Sequence, residues 1–252
     1  MAPPLTSLPI VVADFAVRDS MARRASARGR GLQRRNHPID EARRHAVVSI
    51  ELRDRAAGLS AALLVRAHNA GDEADALAAL AAERMPEVAV HGDRVARYAK
   101  AVARELGMSG DRRRDLAIAA RFHDIGKIVM PDALMNKPSP LTPAETAIMQ
   151  LHVEVGAEIL EATRTLACAA DAVRAAHEPF GGDGYPRQLA GDQIPLASRI
   201  IAVVDAYDAM TQDRAYRRQL DSADAIVELL RCSPAQFDPD VVAAFLAVLG
   251  TQ

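Results

Sequence analysis

Tryptophan is absent from this chain of 252 residues, cysteine occurs only twice, and aromatic residues make up 4%. So few rings leave no obvious stacking platform for single-stranded nucleic acid, which makes nucleic acid an unexpected partner. No apolar run approaches the roughly 20 residues that a helix needs to cross a bilayer, so a membrane-spanning helix is excluded. Cys168 and Cys232 cannot staple a secreted disulfide scaffold, and a reducing cytoplasm fits them best. The apolar stretch Leu8 to Val17 is broken by Asp14, and its basic residues follow it, the reverse of a secretory signal. A net charge of −2, with half the residues apolar and a quarter charged, excludes a fibrous or globally disordered chain. At roughly 150 residues per domain, the length suits one large domain or two small ones.

What charge there is, is unevenly spread. Residues 1–55 carry 11 Arg against 6 acidic residues, net +5, which leaves −7 for the remainder. The Arg run from Arg18 to Arg35 reads as a solvated, poorly ordered tail over residues 1–38. From Ile39 to Arg84 the chain is rich in Ala, Leu, Arg and Glu without proline, which predicts a long helix or a hairpin broken near Asn69-Ala70-Gly71. This segment, residues 39–85, is expected to be an arm able to pair two chains. His37, His45 and His68 are scattered in it without ligand spacing and read as surface residues.

From residue 86 onward, helical periodicity dominates and alternating strand patterns are almost absent. Val95, Tyr98, Val102 and Leu106 mark one helix that stops at Gly107, and a second runs from Asp111 to His123. A third starts at Thr142-Pro143-Ala144-Glu145, where Thr caps, Pro takes the first helical position and Glu closes a capping box. Further helices are predicted over Leu166 to His177, Pro195 to Met210, Ser222 to Arg231, and from Asp238-Pro239 onward. The predicted fold is all-α, a helical bundle with an additional N-terminal helical arm.

Four histidines fall where these helices would otherwise present an apolar stripe. His91 shares the stripe of Val95 and Tyr98, with Glu87 one turn earlier; His123 follows Leu116 and Ala120; His152 lies between Ile148 and Val155; His177 follows Val173. Asp124 adjoins His123, and Asp205 and Asp208 share one face of a later helix. Inward-facing imidazoles and carboxylates must be partnered, and together they form the donor set that divalent Fe, Mn or Zn takes, with a carboxylate free to bridge two ions.

The segment Arg121-Phe122-His123-Asp124-Ile125-Gly126-Lys127-Ile128, preceded by His91-Gly92-Asp93-Arg94-Val95, resembles the HD superfamily of metal-dependent phosphohydrolases. Asn136-Lys137-Pro138, Gly182-Asp183-Gly184-Tyr185-Pro186, the run from Arg199 to Thr211 and Asp213-Arg214-Ala215-Tyr216-Arg217 resemble its HD-GYP subfamily in order and spacing. The resemblance covers about residues 85–250 and is taken here as a domain at 86–252. It implies a helical phosphodiesterase that hydrolyses cyclic di-GMP with two or three divalent ions, Fe or Mn. Carried over residue by residue, it implies Glu87, His91, His123, Asp124, His152, His177 and Asp205 as metal ligands. Asp124 and Lys127 take the catalytic positions, with Lys127 beside the attacked phosphate. Arg214 and Arg217 become phosphate contacts and Tyr185 part of the substrate loop. Asp208 is placed at the substrate edge by helical proximity to Asp205.

The sequence also departs from the HD-GYP pattern. Ala176 stands where the first of two adjacent histidines is usual, Pro179 where a basic residue is, Gly181 where Asp or Asn is, Asp183 where Ser or Thr is, and Gln188 where Gly is. Two other readings therefore stay open: a module that binds nucleotide or a signalling partner without turnover, and a hydrolase of another phosphoester.

Overall fold

The computed structural model describes residues 38–70, 72–212 and 219–250, with side chains over 46–62 and throughout the latter two stretches. The Arg run, His37, His45, His68, Arg214 and Arg217 lie outside these residues or their described side chains. Every regular element among the described residues is helical.

Helix α1 (Pro38–Ala70) and helix α2 (Glu73–Arg84) form the hairpin, and the first ends at Ala70, within the stretch where the sequence suggests a break. Asp72 restarts the chain as an N-cap, accepting from Ala74 N at 2.7 Å and satisfying a donor that the first helical turn leaves open. The hairpin is no free-standing arm. Leu52, Ala56 and Leu77 are buried in the common core, and Glu73 accepts from Thr165 N, Thr165 Oγ1 and Arg164 N, 91 and 92 residues along the chain.

The bundle continues with α3 (Pro86–Glu105) and α4 (Gly110–Phe122). A 3-10 helix follows at Ile125–Val129, then the short α5 (Asp132–Met135), α6 (Pro143–Gln150) and α7 (His152–Glu161). The expected capping box at Thr142 and Glu145 is present. The helix expected from Leu166 to His177 is shorter than its pattern. A 3-10 turn at Ala167–Ala169 leads into α8 (Ala170–Arg174), which ends three residues before His177. The cause is local: Pro179 has no N–H and disfavours helical geometry in the residue before it, so His177 and Glu178 belong to a turn rather than to a helix.

Helices α9 (Leu196–Thr211), α10 (Ser222–Cys232) and α11 (Pro239–Gly250) complete the fold. Tyr98 of α3, Tyr207 of α9 and Phe245 of α11 meet edge to face, with centroids 5.0–5.6 Å apart, a geometry that aligns ring edges with ring faces. This aromatic knot joins the two helices that carry His91 and Asp205. Helix α3 crosses α4 at Gly92, where a β-carbon would overlap Arg121 O. The 3-10 helix approaches α7 as tightly, because a β-carbon on Gly126 would overlap His152 O and lie 2.7 Å from Gly156 N.

A Gly126→Ala protein is expected to lose about 1–3 kcal/mol or more, since backbone rather than a flexible side chain blocks the added methyl. Denaturant unfolding measures it; a loss below about 0.5 kcal/mol would show that the two segments separate easily.

Candidate metal centre

Six side chains converge in the middle of the bundle as two groups, His91–His123–Asp205 and Asp124–His152–His177. The ligand atoms within each group lie within 4.8 Å of one another. The six come from α3, the end of α4, α7, the turn after α8, and α9. Except for His91, which is partly covered, all are buried.

The orientation of the rings follows from their outer nitrogens. His123 Nδ1 lies 2.9 Å from Ala120 O, and His152 Nδ1 lies 2.8 Å from Met149 O. A carbonyl only accepts, so both Nδ1 atoms carry the proton and both Nε2 atoms present a lone pair inward. His91 Nδ1 lies 2.7 Å from Asp208 Oδ2, leaving Nε2 3.0 Å from Asp205 Oδ1.

Asp124 stands between the groups. Its Oδ2 accepts from Lys127 Nζ at 2.6 Å and lies 3.6 Å from His123 Nε2. Its Oδ1 lies 3.3 Å from His152 Nε2 and 3.8 Å from His177 Nε2. Asp124 Oδ1 and His123 Nε2 are fully buried without a hydrogen-bond partner, as is His177 Nδ1. Buried polar atoms are rarely left so. Acceptors facing acceptors are what a cation satisfies, and imidazole nitrogens with carboxylate oxygens are the donors divalent transition metals take. The residues present therefore fit a divalent metal centre.

Electrostatics agree with this geometry. Burial alone would raise the Asp124 carboxyl, but the Lys127 ammonium and the surrounding imidazoles hold it well below the usual range. Burial keeps His123 and His177 below the ordinary histidine value despite the carboxylates around them, so both are neutral, as ligands must be. His91 goes the other way. Burial opposes its charge, yet the hydrogen bonds to Asp205 and Asp208 outweigh it and push the ring up to about 10.

Not every expected site residue joins the groups. Glu87 is exposed on α3 and belongs to neither. Asp208 is only 1% exposed, and both its oxygens are taken behind His91: Oδ1 by Arg94 Nε at 2.6 Å, Oδ2 by Arg94 at 2.8 Å and by His91 Nδ1. Helical proximity to Asp205 was sound, but the side chain points to His91 rather than to a substrate edge, because the Arg94 fork one turn along α3 holds it there. Lys127 is 12% exposed, beside Asp124. Tyr185 stacks on His177, with centroids 5.4 Å apart and planes 16° from parallel. Burial near the carboxylates raises its hydroxyl far above the usual value.

Two residues carry roles that the sequence reading did not assign. Arg94 is one. The other is Glu178, 2% exposed, whose carboxylate accepts from Arg187 N at 2.7 Å and Leu189 N at 3.2 Å, tying the loop around Tyr185 to the turn of His177. A charged residue directly after a ligand histidine, ahead of a glycine-rich loop, was the available signal.

An all-helical bundle closing around four imidazoles and two carboxylates defines a class before any comparison is made, that of helical metal-site proteins. The profile described as HD domain matches residues 75–241, and the chain belongs to that family. Within the family, its motifs resemble those of the HD-GYP subfamily, with the departures at Ala176 and in the loop that follows. A cyclic di-GMP phosphodiesterase of Thermotoga maritima is 38% identical over 158 residues, 62% of this chain and 43% of that protein. A 3'3'-cGAMP-specific phosphodiesterase 2 of Vibrio cholerae is 35% identical over 165 residues, 65% of this chain and 32% of that protein. The chain thus spans under half the length of these curated relatives. Among solved structures, an HDG"Y"P protein from Bdellovibrio bacteriovorus shares the fold with a TM-score of 0.56 and 16% identity, over 86% of this chain and 75% of that one. No described helix is long and apolar enough to cross a membrane.

Two outcomes follow for metal loading. Because His91 keeps its proton up to about pH 10 in the metal-free protein, binding must expel it; affinity for Mn(II) is expected to rise with pH between 7 and 9, by up to ~10-fold per unit for one proton. Titration at several pH values checks this, and a flat profile contradicts it. Asp208→Asn is expected to keep the fold, weaken metal binding ~10–100-fold and reduce that pH dependence, since one of the two carboxylates whose hydrogen bonds raise His91 is gone while Asp205 remains.

Proposed function

We propose that the domain at residues 86–252 hydrolyses the phosphodiester bonds of cyclic di-GMP to the linear dinucleotide, to GMP, or to both. The observation that carries this reading is the Asp124 carboxylate standing between two ligand groups, with Lys127 on its outer oxygen. The cyclic dinucleotide named for the Thermotoga relative supports the substrate.

Two or three ions, Fe or Mn, held by His91, His123, Asp124, His152, His177 and Asp205, would supply Lewis acidity toward a phosphoryl group and acidify water. The chain does the rest. Buried Nδ1–H bonds to Ala120 O and Met149 O keep two rings from turning, so the ligand set is organised before substrate arrives. Lys127 places a cation where negative charge develops on the phosphoryl oxygens and the leaving oxygen. Tyr185 keeps its proton under burial and closes one side of the centre against water through its stack on His177. Arg214 and Arg217 meet the substrate phosphates with guanidinium forks.

The same reading includes a cytoplasmic setting, consistent with two free cysteines. It also includes pairing of two chains through α1, where Val47 and Ile50 are 63% and 61% exposed, and a protein partner in signalling. A second reading, binding without turnover, is favoured by one observation: the buried methyl of Ala176 offers no ligand atom beside His177.

Protein purified anaerobically with Fe(II) or Mn(II) is expected to convert cyclic di-GMP to products separable by chromatography. Asp124→Ala is expected to lose at least ~100-fold in rate together with bound metal, and Lys127→Ala ~100–1,000-fold in kcat with metal retained. Metal-loaded protein that binds the dinucleotide yet forms no product would establish the second reading instead.

A further inference from the structure

Away from the metal centre, a cleft of about 360 Å³ lies between α3 and α4, within the ~300–1,000 Å³ typical of small-molecule sites. Its walls carry five cations, Lys100, Arg104, Arg113, Arg114 and Arg121, and no carboxylate. Such a concentration stands out in a chain of net charge −2. Two of the five are engaged: Arg121 donates to Asp93 at 2.7 Å, and Arg113 to Met108 O at 2.9 Å. Arg114 meets Asp111 only at 3.7 Å, at the exposed rim. Lys100 and Arg104, one turn apart on α3, have no carboxylate within 4.0 Å among the described residues. Behind the cations, Ala117, Ile118 and Phe122 give the cleft an apolar floor.

Unneutralised cations concentrated in a concave site raise the local concentration of anions, and guanidinium forks match phosphate oxygens. The apolar floor adds a demand that a bare anion does not meet. We propose that this cleft binds a small phosphomonoester of about mononucleotide size, its phosphate between Lys100, Arg104 and Arg114 and its ring on Ala117 and Ile118. None of the lining residues belongs to the two ligand groups, so the site stands apart from the reaction proposed above.

Calorimetry on the full chain tests it, with GMP, guanosine, inorganic phosphate and a single-stranded RNA 10-mer as probes. GMP is expected to bind in Asp124→Ala protein as in the parent, phosphate more weakly, and guanosine not measurably. Lys100→Glu combined with Arg104→Glu is expected to weaken GMP at least 10-fold, and added salt to weaken it further. Single Lys100→Gln and Arg104→Gln variants, each expected to weaken GMP about 3-fold, serve where the double variant does not fold. Three results overturn the proposal: no GMP binding at millimolar concentration; binding lost in Asp124→Ala but kept in the Lys100 and Arg104 variants, which would place the nucleotide at the metal centre; or RNA bound more tightly than GMP, which would make the face a general polyanion surface.

Discussion

A buried carboxylate left partly uncompensated is among the most expensive arrangements a fold can hold, and Asp124, at the centre of this bundle, has a partner on one oxygen only. Lys127, three residues along the 3-10 helix, answers one oxygen. The other faces the lone pair of His152 and the ring of His177 and has no hydrogen bond. The remaining elements are arranged about that incomplete pairing. Helix α4 ends at it, the 3-10 helix carries its lysine past it, and α7, the turn after α8, and α9 each bring a ligand toward it. The centre is assembled from five places in the chain, so it exists only when the bundle is closed.

Closure in turn depends on close backbone approach and fixed rings. Gly92 lets α3 and α4, and Gly126 lets the 3-10 helix and α7, come nearer than any side chain would permit. The first approach sets His91 beside His123, with ring centroids 5.2 Å apart, and the second sets His152 beside Asp124, Nε2 3.3 Å from Oδ1. The aromatic knot of Tyr98, Tyr207 and Phe245 does the same for α3 and α9 from the far side. Packing and ligand geometry are one constraint here, because shifting either helix pair moves imidazoles whose outer nitrogens are already committed to a carbonyl or to Asp208.

The helices and their inward histidines were legible in the sequence because periodicity reports which face a residue occupies. Periodicity does not report a partner on another helix. Asp208 therefore read as a neighbour of Asp205, when its burial and its contacts with Arg94 and His91 make it the brace of a ligand. The partners of Glu178 were hidden for the same reason, since its acceptors serve main-chain donors nine and eleven residues away. The end of α8 before His177 was masked by a run of alanine, whose high helix propensity says nothing about the proline waiting two residues beyond the histidine.

Glu178 also accounts for how far the neighbouring loop departs from the HD-GYP pattern it resembles. The residues at 179, 181, 183 and 188 differ from the usual types, yet the loop is held chiefly through backbone. Arg187 and Leu189 give their N–H groups to Glu178, Phe180 and Gly181 give theirs to Gln236 O and Ala235 O, and Gly191 gives its own to Phe180 O. Gln188 sits at φ 54, a left-handed conformation that costs a non-glycine residue roughly 1–2 kcal/mol. It is carried there because both flanking N–H groups are fixed by one buried carboxylate. A loop anchored by main-chain donors can exchange side chains and still present Tyr185 to His177. Ala176 is different in kind: no backbone bond replaces a missing imidazole, so of all the departures it is the one that reaches the chemistry of the centre rather than its scaffold.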